Sequence, residues 1–182
     1  SGWKKLIIKL ETNNFKKQIN RFDKNILEEI HKSFANCNNN WPKDLPIGLI
    51  HGDIFPDNVF FNSNKISGVI DFYFSCNDIL VYEIAVALNA WCFDNDKIFN
   101  LKKARRLIEG YNVNKKLSSN EIKFIPLLAE GAALRFLLTR LYDWFNTPDE
   151  AFITKKDPME YFKKLKYFRY KLKVNNNNLE GI

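Results

Sequence analysis

The sequence predicts an α+β fold that is mostly α, with a small β insert carrying most of its unusual acids. Three observations predict it. Apolar residues recur at helical spacing through most of the chain. Two short apolar runs, residues 59–61 and 66–70, flank the polar Asn62-Ser63-Asn64-Lys65 as the strands of a hairpin flank their turn. Strands do not alternate with helices, as they must in a doubly wound sheet. With 182 residues, 46% of them hydrophobic, the chain carries enough apolar surface for one core. Sixteen Phe, seven Tyr and four Trp make that core aromatic, and seven Gly and six Pro are too few for a long linker.

Taken in order, Phe22, Ile26, Ile30 and Phe34 recur every four residues and predict one amphipathic helix over about 15–37. The Asn-rich turn and Pro42 and Pro46 end it, so the segment ahead of His51 reads as that helix plus connectors. A short apolar run at 47–50 precedes the hairpin. Residues 79–93 are apolar almost all round, which predicts a buried central helix with Asn77 or Asp78 as its N-cap. Phe93-Asp94-Asn95-Asp96 breaks it, and Ile98, Leu101, Ala104, Ile108 and Tyr111 line the next helix. Ser118 and Glu121 stand at capping-box spacing. They open a helical region through Leu141 in which Pro126 predicts a kink or break. Leu134, Leu137, Leu138, Leu141 and Phe145 make its core face. A last, basic helix is expected over 158–173. The whole reads as a single domain over 1–174 with a flexible tail at 175–182.

The net charge of +7 is concentrated in residues 155–173, where eight Lys/Arg face only Asp157 and Glu160. Interleaved Tyr161, Phe162, Leu165 and Phe168 make this a solvated helix face, and no RNA-binding motif accompanies it, so no nucleic-acid partner is expected. Cys37, Cys76 and Cys92 form no CxxC pair. They suit neither a zinc site nor a disulfide framework and read as small buried hydrophobes in a reducing cytoplasm. The longest uncharged apolar stretch, residues 84–93, is about half of what a bilayer requires. Lysines throughout residues 3–10 rule out a secretory signal there. No membrane partner is expected.

From Leu49 to Asp78 the chain reads LIHGDIFPDNVFFNSNKISGVIDFYFSCND. Carboxylates among apolar residues are costly unless something compensates them. His51-Gly52-Asp53 ends one strand, Asn58 opens the hairpin five residues later, and Asp71 closes it directly after Ile70. The antiparallel return sets Asn58 beside Asp71, with Asp53 on the adjoining loop. An amide oxygen and carboxylates are hard ligands that suit Mg²⁺, which takes one or two such groups plus substrate phosphates. Asp53 is then left to accept a hydroxyl proton, the division of labour found in phosphoryl transfer.

HGD-x₄-N followed by IDF resembles the catalytic and metal-binding loops of the protein-kinase-like aminoglycoside and choline kinase superfamily. NAWCF, LRFLLTRLYDW and KDPMEYFKKLKYFR narrow the resemblance to the homoserine kinases of that superfamily, in register from Gly2 to about Tyr170. The resemblance implies the C-terminal lobe of a protein-kinase-like fold. It implies Asp53 as catalytic aspartate, Asn58 and Asp71 as Mg²⁺ ligands, ATP as donor, and L-homoserine as acceptor on the route to threonine. His51 is expected to brace the loop by hydrogen bonding, and Asp78 to cap the following helix or hold the loop; Asp57 reads as a turn acid. Homoserine is a zwitterion, so its site needs a cation and an acid. Arg135, Arg140 and Asp143 lie in the distinguishing stretch, and Arg140 and Asp143, three apart, share a helix face. The same spacing suits an ordinary intrahelical ion pair. Trp91 and Trp144 read as core.

Two alternatives stand beside this reading. The acceptor could be an aminoglycoside, choline or another small alcohol, although a polycation wants an acidic cleft and the net charge is positive. The chain could also be a non-catalytic remnant, against which the intact Asp53, Asn58 and Asp71 argue. Kinases of this kind also carry an N-terminal lobe with a glycine-rich strand pair and a phosphate-binding lysine, and this sequence contains no GxG. The expectation is therefore a C-terminal lobe whose partner lobe is supplied in cis or in trans. Alone it should turn over ATP weakly or not at all, because a cleft with one wall admits water and loses preorganisation.

Overall fold

The computed structural model describes residues 2–11, 13–148 and 155–171; the tail expected at 175–182 lies outside them. Helices α1 (Gly2–Leu10), α2 (Asn13–Phe22) and α3 (Ile26–Asn40) lead into four short strands, β1 (Ile47–Ile50), β2 (Val59–Asn62), β3 (Lys65–Val69) and β4 (Cys76–Ile79). Then come α4 (Leu80–Trp91), a ribbon of β5 (Phe93–Asp94) and β6 (Ile98–Phe99), α5 (Leu101–Asn114), α6 (Ser119–Asn146), and α7 (Pro158–Lys166), which runs into a π turn at Tyr167–Lys171. The result is a mostly helical α+β fold whose sheets are two-stranded antiparallel pairs: β1 with β4, β2 with β3, and β5 with β6.

The axis of the helical body is α6. Its capping box is complete: Glu121 N–H donates to the Ser118 hydroxyl at 3.2 Å, and Ser118 N–H donates to the Glu121 carboxylate at 2.9 Å. The helix runs on through Pro126, where a kink or break was expected. A proline inside a helix costs about 3 kcal/mol, and the burial of Leu128, Leu134, Leu137, Leu138 and Leu141 outweighs that. Helix α4 is the expected buried central helix, and Asn89 ties it to α6 by donating to Ala85 O at 2.9 Å and Ala129 O at 3.0 Å. Gly131 on α6 lets the ring of Trp41 pack against the helix; a Cβ there would lie 2.5 Å from the ring.

Several expectations are corrected. The helix expected over 15–37 is two helices, parted where the Asp23 carboxylate takes the Asn25 N–H at 2.8 Å, a local bond that competes with helix. The apolar period carries across this break and hides it. Helix α1 and strand β4 were not foreseen, the first because of its lysines and the second because Cys76-Asn77-Asp78 is polar. Ile98 belongs to β6 rather than to α5. The last helix passes into its π turn at Tyr167, which brings Arg169 to Glu130 at 3.2 Å and Tyr170 to Glu29 at 2.8 Å. Cys37 and Cys92 are buried, but Cys76 is exposed. No described helix is long and apolar enough to cross a membrane.

Candidate active site

The four strands and the loops between Ile47 and Ile79 set the predicted residues against the cavity-facing side of α6. The HGD loop leaves β1 through Gly52, whose φ of +74° suits only glycine and where a Cβ would meet Phe74 O at 3.0 Å. The hairpin folds back so that Val59 pairs with Val69, and Ile70 N–H donates to Asn58 O at 3.0 Å. Asn58 therefore sits beside the start of the Asp71 loop. Asp71 itself takes a left-handed φ of +61°, an uncommon conformation for a residue with a side chain.

Hydrogen bonds connect these loops. His51 Nε2 donates to Ile70 O at 2.8 Å, and its Nδ1 accepts from Asp53 N–H at 3.2 Å, so one ring joins the HGD loop to the Asp71 loop. The Asn58 amide nitrogen donates to Asp53 O at 2.8 Å, which leaves its oxygen unspent on that bond. Among the described residues no hydrogen bond or ion pair engages the Asp71 carboxylate. Asp53, Asn58 and Asp71 all line one open cleft of about 450 Å³, whose far wall is α6. Burial pushes the Asp53 carboxyl above its ordinary value; the Arg135 guanidinium opposes the rise and the charge of Asp71 adds to it.

The donor set fits magnesium better than a self-sufficient metal cage. Among the described residues no three His, Cys, Asp or Glu side chains converge to hold an ion. The Asp71 carboxylate and the Asn58 amide oxygen are hard donors of the kind Mg²⁺ takes when substrate and water supply the rest.

Two braces of the loop were not legible in the sequence. Glu83 accepts from Gly52 N–H at 2.9 Å, and Arg135 donates to Gly52 O at 2.6 Å, so Gly52 is held at both ends. A glutamate in the otherwise apolar helix LVYEIAVALNAW was the available signal for the first. Arg135 was read as a substrate contact; its guanidinium lies between Phe74 and Phe136, 5.2 and 4.7 Å from their ring centres, and one nitrogen is spent on the loop. Trp91, expected in the core, donates to Ile54 O at 2.7 Å and supports the same loop. Asp78 lies away from the cleft on β4. Its carboxylate takes Ile79 N–H at 2.7 Å, while the N-cap of α4 is Ile79, with no side-chain cap.

Arg140 and Asp143 both line the cleft, but they do not pair. Arg140 turns instead to Glu160 and to Asp157 O, the latter at 3.0 Å. Asp57 also reaches the cleft and pairs with Lys156 at 3.2 Å.

Asp53, Asn58 and Asp71 thus share one cleft, and comparison with known proteins gives that cleft a family. The profile of the phosphotransferase enzyme family matches residues 10–115. The chain belongs to the phosphotransferase enzyme family. Within it, the chain is similar to the homoserine kinase of Agrobacterium fabrum, 47% identical over 180 residues, which are 99% of this chain and 54% of that protein. The homoserine kinase of Rhizobium etli is 57% identical over 129 residues, 71% of this chain and 40% of that protein. That of Rhizobium meliloti is 52% identical over 142 residues, 78% of this chain and 44% of that protein. The chain thus spans about half the length of the curated relatives it matches.

Proposed function

We propose that this chain is the C-terminal, catalytic lobe of a homoserine kinase, moving the γ-phosphoryl group of ATP to the hydroxyl of L-homoserine, a step toward threonine. The observation that carries the proposal is the meeting of Asp53, Asn58 and Asp71 on one cleft, in a phosphotransferase whose relatives at 47–57% identity are homoserine kinases. The Asp53 carboxylate orients the acceptor hydroxyl and takes its proton. The hydroxyl oxygen forms a bond to the γ-phosphorus as the bond from that phosphorus to the β–γ bridging oxygen breaks, and ADP leaves with the electron pair. Glu83, Arg135 and Trp91 keep the loop rigid, so Asp53 does not have to be ordered during the reaction. The Asn58 oxygen and the Asp71 carboxylate would hold Mg²⁺, which when bound supplies charge neutralisation at the phosphates.

The assignment as one lobe of a protein-kinase-like fold is supported by what the β segment leaves uncovered. Leu49, Phe60, Phe61, Ile66, Phe72 and Tyr73 are each at least half exposed. Large apolar side chains exposed in this number within one segment ordinarily meet a partner. The remaining half of a relative-length protein is the natural cover, closing the cleft and excluding water from it. A cytoplasmic setting, with ATP at hand and free cysteines kept reduced, belongs to the same reading.

The test is a coupled ADP-release assay. It compares the 182-residue chain with a fusion that adds the part of the Agrobacterium fabrum relative that this chain does not cover. The fusion is expected to phosphorylate L-homoserine in preference to choline or an aminoglycoside, and the chain alone to be weak or silent. In the fusion, Asp53→Asn is expected to lower kcat by about 10²–10⁴-fold. Full activity in Asp53→Asn, or a preference for choline or the aminoglycoside, overturns the proposal.

A further inference from the structure

We infer that the cleft is built for a zwitterion, with Asp143 receiving the ammonium of the acceptor and Lys156 its carboxylate. The inference rests on the phosphotransfer reading above and adds to it the groups that select an amino acid over other alcohols.

Asp143 is the first reason. Its carboxylate lines the cleft, and among the described residues no hydrogen bond or ion pair engages it. Its natural intrahelical partner, Arg140, is held by Glu160 and by Asp157 O. The pocket thus contains an acid from which the nearest cation on its own helix has been turned away. Asp143 is exposed at the open cleft, and the protein that does cover it still raises its carboxyl from the ordinary value, with no cation beside it to oppose the rise. A cationic ligand group removes that cost.

Spacing is the second. Arg135 is bonded to Gly52, next to Asp53. Asp143 lies eight residues further along α6, which is about 12 Å along the helix axis. In a γ-hydroxy α-amino acid, four single bonds of about 1.5 Å separate the hydroxyl oxygen from the nitrogen, a span of about 5 Å. A hydrogen bond of about 2.8 Å at either end extends this to between about 10 and 11 Å. That reach is close to the axial rise from Arg135, which holds the Asp53 loop, to Asp143.

Lys156 is the third. Of the cations on the cleft, Arg135 and Arg140 are committed to backbone oxygens of the protein. Lys156 pairs with Asp57 at 3.2 Å, and the two side chains are 60% and 63% exposed. Such a pair contributes little stability and exchanges readily, so Lys156 can turn to a ligand carboxylate. Its ammonium also lies 5.6 Å from the centre of the Phe55 ring, which keeps it over the cleft.

The test uses binding, so it does not depend on turnover. The 182-residue chain is titrated by NMR with L-homoserine, with 4-hydroxybutanoate, which lacks the ammonium, and with 3-aminopropan-1-ol, which lacks the carboxylate. Asp143→Asn is expected to weaken L-homoserine and 3-aminopropan-1-ol about tenfold without weakening 4-hydroxybutanoate. Lys156→Met is expected to weaken L-homoserine and 4-hydroxybutanoate by several-fold and to spare 3-aminopropan-1-ol. The inference is overturned if the variants weaken all three probes alike, or weaken none, or if the unaltered chain does not bind L-homoserine. Transfer to L-homoserine by the fusion with an unchanged KM in Asp143→Asn sinks this inference and leaves the kinase reading standing. Absence of transfer to any alcohol sinks the kinase reading itself.

Discussion

Glu130 and Asp71 carry the same charged group and are treated in opposite ways. Glu130, fully buried on α6, takes a hydrogen bond from Asn36 at 2.7 Å and one from Arg169 at 3.2 Å. Asp71, exposed at the mouth of the cleft, has no such partner among the described residues and sits on left-handed backbone. The contrast extends to the regions around them. In the helical body Glu29 is met by Tyr170, Glu121 by Ser118 and Glu160 by Arg140 and Lys164. In the β segment Asp57 has only an exposed pair with Lys156, Asp78 takes only the neighbouring Ile79 N–H, Asp71 is exposed, and several large apolar side chains face outward as well. The helical body meets its buried Glu29, Glu121 and Glu130 internally, whereas the β segment leaves Asp71 without a partner among the described residues.

If that division is right, equal insults should cost very different amounts in the two regions. Leu137 is fully buried, and Leu137→Ala is expected to lower unfolding stability by about 3 kcal/mol in urea denaturation. Leu49 is 79% exposed on β1, and Leu49→Thr in the isolated chain is expected to stay within about 0.5 kcal/mol. Comparable losses would mean that the β segment is as self-contained as the helices, and the comparison would break.

The same division governs what the sequence disclosed. The hairpin and the convergence of Asn58, Asp71 and Asp53 were legible because they depend on local spacing and on antiparallel return. The capping box at Ser118 and the buried α4 were legible for the same reason. Glu83 and Arg135 were not read as braces of Gly52, because they reach it across 31 and 83 residues and no local pattern encodes such contacts. That Phe60, Phe61 and Phe72 face outward was not legible, since apolar character alone does not say what covers a side chain. The split between α2 and α3 was lost because one apolar period runs through both.

A smaller effect sharpens the comparison by converting one region into the other. Burial works to raise the Glu121 carboxyl, but the Ser118 backbone and hydroxyl hydrogen bonds and Lys115 bring it below its ordinary value. A depressed carboxyl contributes stability that is present above its unfolded value and lost as pH falls through the folded one. Ser118→Ala removes the hydroxyl and is expected to cost about 1 kcal/mol at neutral pH. The difference from the unaltered chain should shrink in acid, as guanidinium denaturation at several pH values would register. A cost that does not vary with pH would show that the serine acts through the cap alone and not through Glu121.

The least effect, and the one with the opposite sign, is expected at Asp53. Its carboxyl is raised above the ordinary value, chiefly by burial. Over the interval between its unfolded and folded values the folded chain therefore holds more proton than the unfolded one, and stability falls as pH rises through that interval. Above it, the ionised Asp53 destabilises the fold. Asp53→Asn removes that charge while keeping the shape, so the variant should melt about 1–2 °C higher at neutral pH, the effect kept small by the half exposure of the group. The gain should disappear in acid, where the native carboxyl is protonated. A replacement that stabilises the fold while abolishing transfer is the behaviour of a residue held in place for chemistry. A variant that melts lower at neutral pH would instead place Asp53 with Glu130, among the acids that the protein itself needs.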